Sequence, residues 1–418
     1  MSHLSFDEVK LFEDTDTDAD IIRSFINMEY KMTEEPFFIL DVADVIRKHW
    51  DWIAKMPRVI PHYAVKCNPD PVLIKILAAM NVGFDCASVA EIQAVMEHGV
   101  PADQIIFANP TKWCAHIKFA KKMNVQKMTV DSEMEILKIS NYFPEAKIVI
   151  RIRCDAEKSL IPLGVKFGCD PGDEAVQLIH LTKRLGLKLW GFSFHVGSLS
   201  DELNAYSRGI TMCKRLIDVA KSIGCDEVQL IDIGGGFSGD SRHSIDKVAS
   251  IINDAIQNID PSITIISEPG RYYTTTAFTL ASLIHTKKII LKDEKMTRMY
   301  YMTCGVYNCF LEELLKIQTR LPIPLSKPES DEKFLSCVWG PTCDSIDCIL
   351  EDILLPEFHA GEWLIWRDMG AYTTSLGCPF NGFSLSKVHP FVRKSYWEQF
   401  LAYTNKIRKP KESILNMK

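Results

Sequence analysis

The sequence predicts a (β/α)8 barrel followed by a separate all-β domain, and three observations carry that prediction. Eight short β-branched runs recur between Arg58 and Tyr273, each closing on a polar or charged residue. Between them lie amphipathic stretches with apolar residues three and four apart, and strand and helix signals in alternation read as parallel βαβ units. After Tyr273 the alternation stops and longer strand-like segments take over. Eight units of this kind fit a barrel of about 250 residues. An open doubly wound sheet would carry a glycine fingerprint at its first strand-to-helix turn, and "AVKCNPD" has none. The barrel is assigned to residues 40–275 and the all-β domain to residues 1–39 and 276–418.

The strands are expected, in order, in "RVIPHYAVK", "GFDCAS", "IIFANP", "KMTVDS", "KIVIRIR", "KLWGFSFHVGS", "EVQLIDIGGGF" and "TIISEPGRYY". Helical spacing follows in "PVLIKILAAM" (71–80), "VAEIQAVMEHG" (89–99) and "SEMEILKISNYF" (132–143). Asp131 or Ser132 is the expected cap of the last of these, with acidic residues in its first turn. Beyond Tyr273, "TTTAFTLASLIHTKKIIL", "TRMYYMTCGVY" and "GEWLIWRDMGAYTT" read as strands. The final stretch from Ser395 reads as a short amphipathic helix with a basic tail, and the acidic "EDTDTDAD" near the start as a solvated, mobile end.

Composition narrows the function classes. The chain has 418 residues, 47% of them hydrophobic and 24% charged, with a formal net charge of −6. That balance argues against nucleic acid or an anionic membrane as the main partner. The acidic start has no apolar core, so a signal or transit peptide is not expected, and no apolar run is long enough to span a bilayer; a cytoplasmic protein is expected. The thirteen cysteines are scattered and read as free thiols of a reducing compartment. Cys304 with Cys309, and Cys343 with Cys348, share a four-residue gap that zinc can use. Neither pair has a glycine-rich knuckle, and no metal is expected.

Barrel chemistry sits at the C-terminal ends of the strands. Read in order, those ends are Lys66, Asp85, Asn109, Asp131, Arg151, His195, Asp232 with its glycines, and Glu268. Singly, each has a bland explanation, as a helix cap, a core histidine or a structural ion pair. Together they form a ring of reactive groups. "IGGGFSG" (233–239) offers backbone N–H groups to an anion. "SEPGRYY" (267–273) sets Gly270 beside Arg271, whose planar fork suits phosphate. Lys66 is then a covalent amine and Glu268 the partner of a ring nitrogen, which together describe a pocket for pyridoxal phosphate.

The segments "PHYAVKCN", "FDCAS", "ANP", "FHVGS", "DIGGGF", "EPGRYY", "WGPTCDSID", "MGAYT" and "FNGF" resemble the eukaryotic ornithine decarboxylases, a branch of the barrel-type (alanine-racemase-like) pyridoxal phosphate enzymes. The matches run from about Pro36 to Phe383. The resemblance implies decarboxylation of L-ornithine to putrescine and carbon dioxide, the first step of polyamine synthesis, and a second domain of β-sandwich type. It implies that Lys66 holds the cofactor covalently, that His195 stacks on its ring and that Glu268 faces its nitrogen. Ser198, Gly235, Gly236, Gly270, Arg271 and Tyr372 would hold the phosphate, with Asp85, Glu91 and Arg151 as a supporting polar network. Cys343 would return a proton to the α-carbon and Asp344 would bind the distal amine, both from the partner subunit of a homodimer. The family also has catalytically silent, antizyme-inhibitor-like members and regulatory partners of the antizyme type; the short tail after Phe383 leaves little room for a long degradation segment.

One segment departs from the pattern. After "GVY" the family usually continues "GSFNCILYDH", whose Asp helps to hold the distal amine, whereas this chain reads "NCFLEELLK". Without gaps, Leu315 and Lys316 replace the Tyr–Asp pair, and Glu312 or Glu313 substitutes only if the short helix shifts. Asp344 remains, so the expected outcome is ornithine decarboxylation with a poor KM; a preference for lysine or arginine is the alternative.

Overall fold

The computed structural model describes residues 6–156, 159–161, 163–200, 202–240, 244–292, 294–328 and 330–415. It divides into two compact units, residues 47–273 forming one and the segments on either side of them the other. Residues 40–46, assigned above to the barrel, group with the second unit.

The first unit is a closed, all-parallel barrel of eight strands: β1 (Val59–Ala64), β2 (Gly83–Cys86), β3 (Ile105–Phe107), β4 (Lys127–Val130), β5 (Lys147–Arg151), β6 (Lys188–Ser193), β7 (Leu230–Asp232) and β8 (Thr264–Ser267). Each follows its neighbour in sequence, and β8 closes on β1 with Ile266 beside Ile60. Inside, Ile106, Val149, Leu230 and Ile266 pack into one apolar cluster, the branched filling that makes such a barrel a packed core.

Local chemistry sets the helix starts that aim the strand ends. In "NPDP", Pro71 opens the helix Pro71–Ala79, and Asp70 caps it by accepting the N–H groups of Val72 and Leu73 at 2.9 and 3.0 Å, which satisfies two donors left over at a helix start. Ser88 caps Val89–Glu97 through the Glu91 N–H. The expected cap at Asp131 or Ser132 does not form. Ser132 occupies the cap position without a side-chain bond, and Asp131 instead accepts the Gly168 N–H at 2.9 Å.

The second unit is mostly sheet. Among the described residues nine strands form one hydrogen-bonded sheet, seven of them along a single path and two branching from it. Its central member, Phe278–Lys292, pairs first with Phe37–Asp41 and Trp363–Trp366 and then, further on, with Lys295–Met302. Both ends of the chain enter this unit: Lys10–Phe12 runs parallel to Phe391–Arg393, and Lys387–Arg393 runs parallel to Phe37–Asp41.

The acidic N-terminal stretch is structured rather than mobile. Thr17 and Asp20 form a capping box, with Asp20 N–H on Thr17 Oγ1 at 3.2 Å and Thr17 N–H on Asp20 Oδ2 at 3.1 Å. The helix they start, Asp18–Phe25, buries Ile21, Ile22 and Phe25 against Phe37 and Phe391; the acids are the solvent face of an amphipathic helix. At the other end, the expected short helix is Lys394–Leu415 and takes in most of the basic tail; residues 416–418 of that tail lie outside the described residues.

Candidate active site

The barrel brings the predicted strand-end residues to one rim. Lys66 lies on a single turn, Val65–Cys67, immediately after β1, and its amine pairs with the carboxylate of Asp85 on β2. Asp85 is 1% exposed, and its second oxygen, Oδ1, is buried without a hydrogen-bond partner. Glu91 accepts the Ala87 N–H at 2.5 Å; burial, with Asp85 nearby, raises its pKa. Arg151 ends β5 and lies 5.6 Å from the Phe167 ring, and its charge reaches His195 and Asp232. Asp85 is paired with Lys66 and Asp131 accepts the Gly168 N–H, so neither forms a structural ion pair with Arg151.

His195 stands two residues past β6, and its Nδ1 accepts the Gly197 N–H at 3.0 Å. Burial, helped by the charges of Arg151 and Lys66, holds the imidazole well below its usual pKa, so the ring is neutral. Glu268 follows β8 directly and shares a hydrogen bond with Asp232, the last residue of β7. Burial pushes Glu268 well up, and the charges of Asp232 and Asp85 add to the shift; Asp232 rises to about 6, chiefly by burial. Two crowded carboxyls that cannot both ionise keep a proton between them.

Beside them the backbone forms a cradle. Gly236 has a φ of +103°, and a Cβ there would sit 2.7 Å from Gly197 O. A Cβ on Gly235 would sit 3.0 Å from His195 Nε2, and one on Gly270 2.8 Å from Cys67 Cβ. Arg271 is buried, with Nε 3.4 Å from Ser198 Oγ. An amine with an acid beside it, a flat neutral ring, a buried carboxyl that keeps its proton, and a side-chain-free cradle next to a guanidinium fit pyridoxal phosphate. Lys66 offers the amine such a group needs, Glu268 the buried carboxyl, and Ser198, Gly235, Gly236, Gly270 and Arg271 a cradle of a kind that suits a phosphate.

The second unit carries Cys343, Asp344, Tyr372, Leu315 and Lys316. Cys343 is exposed, and its thiol lies 3.3 Å from Asn381 Oδ1, which also accepts the Cys343 N–H at 3.2 Å. Tyr307 donates its hydroxyl to Asp344 Oδ2, and Ile346 N–H reaches Oδ1 at 3.0 Å. Tyr372 has a φ of +53°, a left-handed conformation costly for an aromatic residue. Leu315 is 58% exposed, and Lys316 is exposed with a φ of +55°. Glu312 and Glu313 do not stand in for the missing acid: both are buried on Arg320, at 2.8 and 2.7 Å. Cys304 and Cys309 lie side by side at 2.8 Å, and among the described residues no three His, Cys, Asp or Glu side chains gather as metal ligands.

Sequence reasoning missed Tyr307, Asn381 and Asp347. Asp347, 1% exposed, ties two loops together by accepting Val306 N–H at 2.8 Å and Thr342 N–H at 3.0 Å. The signal was present in "GVY", "FNGF" and "DSID", but nothing in the spacing told which side chains meet.

Comparison with known proteins places these features. Residues 42–275 match the sequence model described as pyridoxal-dependent decarboxylase, pyridoxal binding domain. The mouse ornithine decarboxylase is 38% identical over 402 residues, covering 91% of this chain and 86% of the relative. Antizyme inhibitor 2 of Xenopus laevis is 40% identical with the same coverages. The solved arginine decarboxylase of Paramecium bursaria Chlorella virus superposes with a TM-score of 0.84 at 35% identity, covering 89% of this chain and all of that one.

Proposed function

We propose that this chain, which belongs to the pyridoxal-dependent decarboxylases, removes the α-carboxylate of L-ornithine to give putrescine and carbon dioxide. The observation that carries the reading is the barrel rim itself, where the Lys66 amine on Asp85 shares one mouth with neutral His195, the protonated Glu268–Asp232 pair and the Gly236–Arg271 cradle. Pyridoxal phosphate, when bound, supplies the electron sink that makes loss of the carboxylate feasible. Lys66 Nζ would be its covalent anchor, and Asp85 holds that amine in place through their ion pair. Glu268 would face the ring nitrogen, and His195, being neutral, would stack on the ring without adding charge. Arg271 and the glycine N–H groups would bind the phosphate, and the family resemblance assigns Tyr372 to the same task.

Cys343 Sγ is the proton donor to the α-carbon, and its exposure together with the Asn381 contact keeps it available. Asp344 receives the distal ammonium. These two residues act from a second copy of the chain, in a cytoplasmic homodimer whose sites are shared. Equal mixing of Lys66→Ala and Cys343→Ala proteins should then restore roughly a quarter of the sites, as random pairing about a two-fold axis dictates; no recovery would count against shared sites.

The substrate assignment rests on Asp344 and on relatives that bear the ornithine name; the lysine or arginine alternative rests on Leu315 and Lys316. A second reading, a silent antizyme inhibitor, is favoured by the 40% identity to one such protein and opposed by the complete rim. One experiment separates them. Purified protein is scanned for the absorbance of lysine-bound cofactor, then assayed for carbon dioxide release from ornithine, lysine and arginine. The band, its loss in Lys66→Ala and a preference for ornithine are expected. No band sinks the enzyme reading, and a preference for lysine or arginine sinks the substrate.

A further inference from the structure

The opposite mouth of the barrel has its own chemistry. There the first residues of five strands, Gly83, Lys127, Lys147, Leu230 and Thr264, frame a cavity of about 390 Å³. Lys127 and Lys147 are direct partners in the parallel ladder between β4 and β5, so two like charges stand side by side, an arrangement that by itself destabilises a sheet. Among the described residues neither amine has a carboxylate within ion-pairing distance. Asp103 is the one acid lining the cavity and acts on Lys127 only at longer range. Burial, helped by the charge of Lys147, brings Lys127 down to about 8. Burial thus makes Lys127 easier to deprotonate, and an anion set between the two amines would hold both charged.

The rest of the lining shows what the pair lacks. His62 is 4% exposed, lines the same cavity, and its Nε2 is buried with no hydrogen-bond partner. Its Nδ1 reaches Ile60 O at only 3.5 Å. Lys147 lies 4.0 Å from the centroid of the Trp190 ring, and Ile266 adds an apolar floor. Two amines over an aromatic and aliphatic floor are complementary to an oxyanion carried on a small apolar body.

We propose that this N-terminal mouth is a second ligand site, for a small organic oxyanion bound between Lys127 and Lys147 with its apolar part against Trp190 and Ile266. A lysine pair set side by side on one aromatic wall, with a single acid in the lining, distinguishes this mouth from a surface of scattered solvated lysines. The site stands apart from the reaction at the other rim, so it is tested independently of that assignment.

The test uses holoenzyme saturated with pyridoxal phosphate, which fills the phosphate cradle at the C-terminal rim, in a buffer of weakly binding anion. Phenyl phosphate and benzoate are titrated separately by calorimetry. One site per chain is expected for at least one of them, and which binds tighter tells a phosphate head from a carboxylate. Lys127→Met and Lys147→Met should each weaken that binding by about tenfold or more while leaving the cofactor absorbance intact. In the absence of either anion, Lys127→Met should melt no lower than the unsubstituted protein, because a like-charge pair has gone. Lys147→Met reads out the same site if Lys127→Met does not fold. Absence of binding by both probes up to about 10 mM, or binding that both variants retain, overturns the proposal.

Discussion

Tyr307 donates its hydroxyl to the carboxylate of Asp344, while its ring stacks on Phe380 with centroids 4.3 Å apart. The bond holds Asp344 below the usual carboxylate range and pushes Tyr307 up to about 12. The proposed contact to the distal amine is therefore a carboxylate kept ionised and aimed. In Tyr307→Phe the ring stack survives and the hydrogen bond is lost. KM for ornithine should rise by about threefold to tenfold with kcat little changed, and the acid limb of kcat/KM should move to higher pH. A fall in kcat at constant KM would place Tyr307 elsewhere in the reaction.

Lys316 holds a left-handed backbone where Asp and Asn are tolerated better than lysine. Lys316→Asp therefore removes a cation and eases the local conformation at once. If the segment faces the distal amine, KM for ornithine should fall while the melting temperature stays level or rises. An unchanged KM would show that this position does not touch the substrate.

Arg320 pairs with two buried carboxylates, with side chains 7% exposed for Arg320, 4% for Glu312 and 1% for Glu313. Its Nε also reaches the Asp368 carbonyl at 3.0 Å. Arg320→Met strands both acids, which should cost about 3–5 kcal/mol, read from the midpoint of urea unfolding. Replacing all three by apolar residues of similar volume should recover most of that loss, because the pairing repays desolvation rather than exceeding it.

His49 gives a pH dependence with a definite sign. Its Nδ1 lies 3.1 Å from the Tyr273 hydroxyl, and burial lowers its pKa to about 4 from an ordinary 6.5. Between those values the unfolded chain binds a proton that the folded chain does not. This group therefore makes stability rise with pH through the window and fall as pH drops through it, by about 1.4 kcal/mol per pH unit at most. In His49→Gln that part of the slope should vanish, and equal slopes in urea titrations from pH 4 to 6.5 would refute the assignment.

Much of this was legible before any coordinates. Period and punctuation fixed the eight barrel strands, because a parallel strand buried on both faces is a short apolar run and its reactive residue stands where the run ends. Lys66, Asp85, His195 and Glu268 were readable for that reason. Partners close in space but far along the chain were not. Asp347 reaching Val306, and Arg320 gathering Glu312 and Glu313, depend on how loops fold back, and the pattern "NCFLEELLK" carried no sign that its acids are internal. The acidic N-terminal segment was misread because its charges outweighed the Ile21, Ile22 and Phe25 stripe beneath them.

The strand pairing of the second unit also dictates an order of assembly. Phe37–Asp41 lies between Phe278–Lys292 and Lys387–Arg393, and Lys10–Phe12 has its parallel partner at Phe391–Arg393. During synthesis the residues made first wait through the whole barrel, with Ile21, Ile22 and Phe25 uncovered, for the residues made among the last. Ribosome-bound chains halted near residue 300 should therefore lose their N-terminal segment to brief proteolysis while the barrel survives; protection of that segment would show that it finds a temporary shelter. This segment leaves the ribosome well before the strands that complete its sheet.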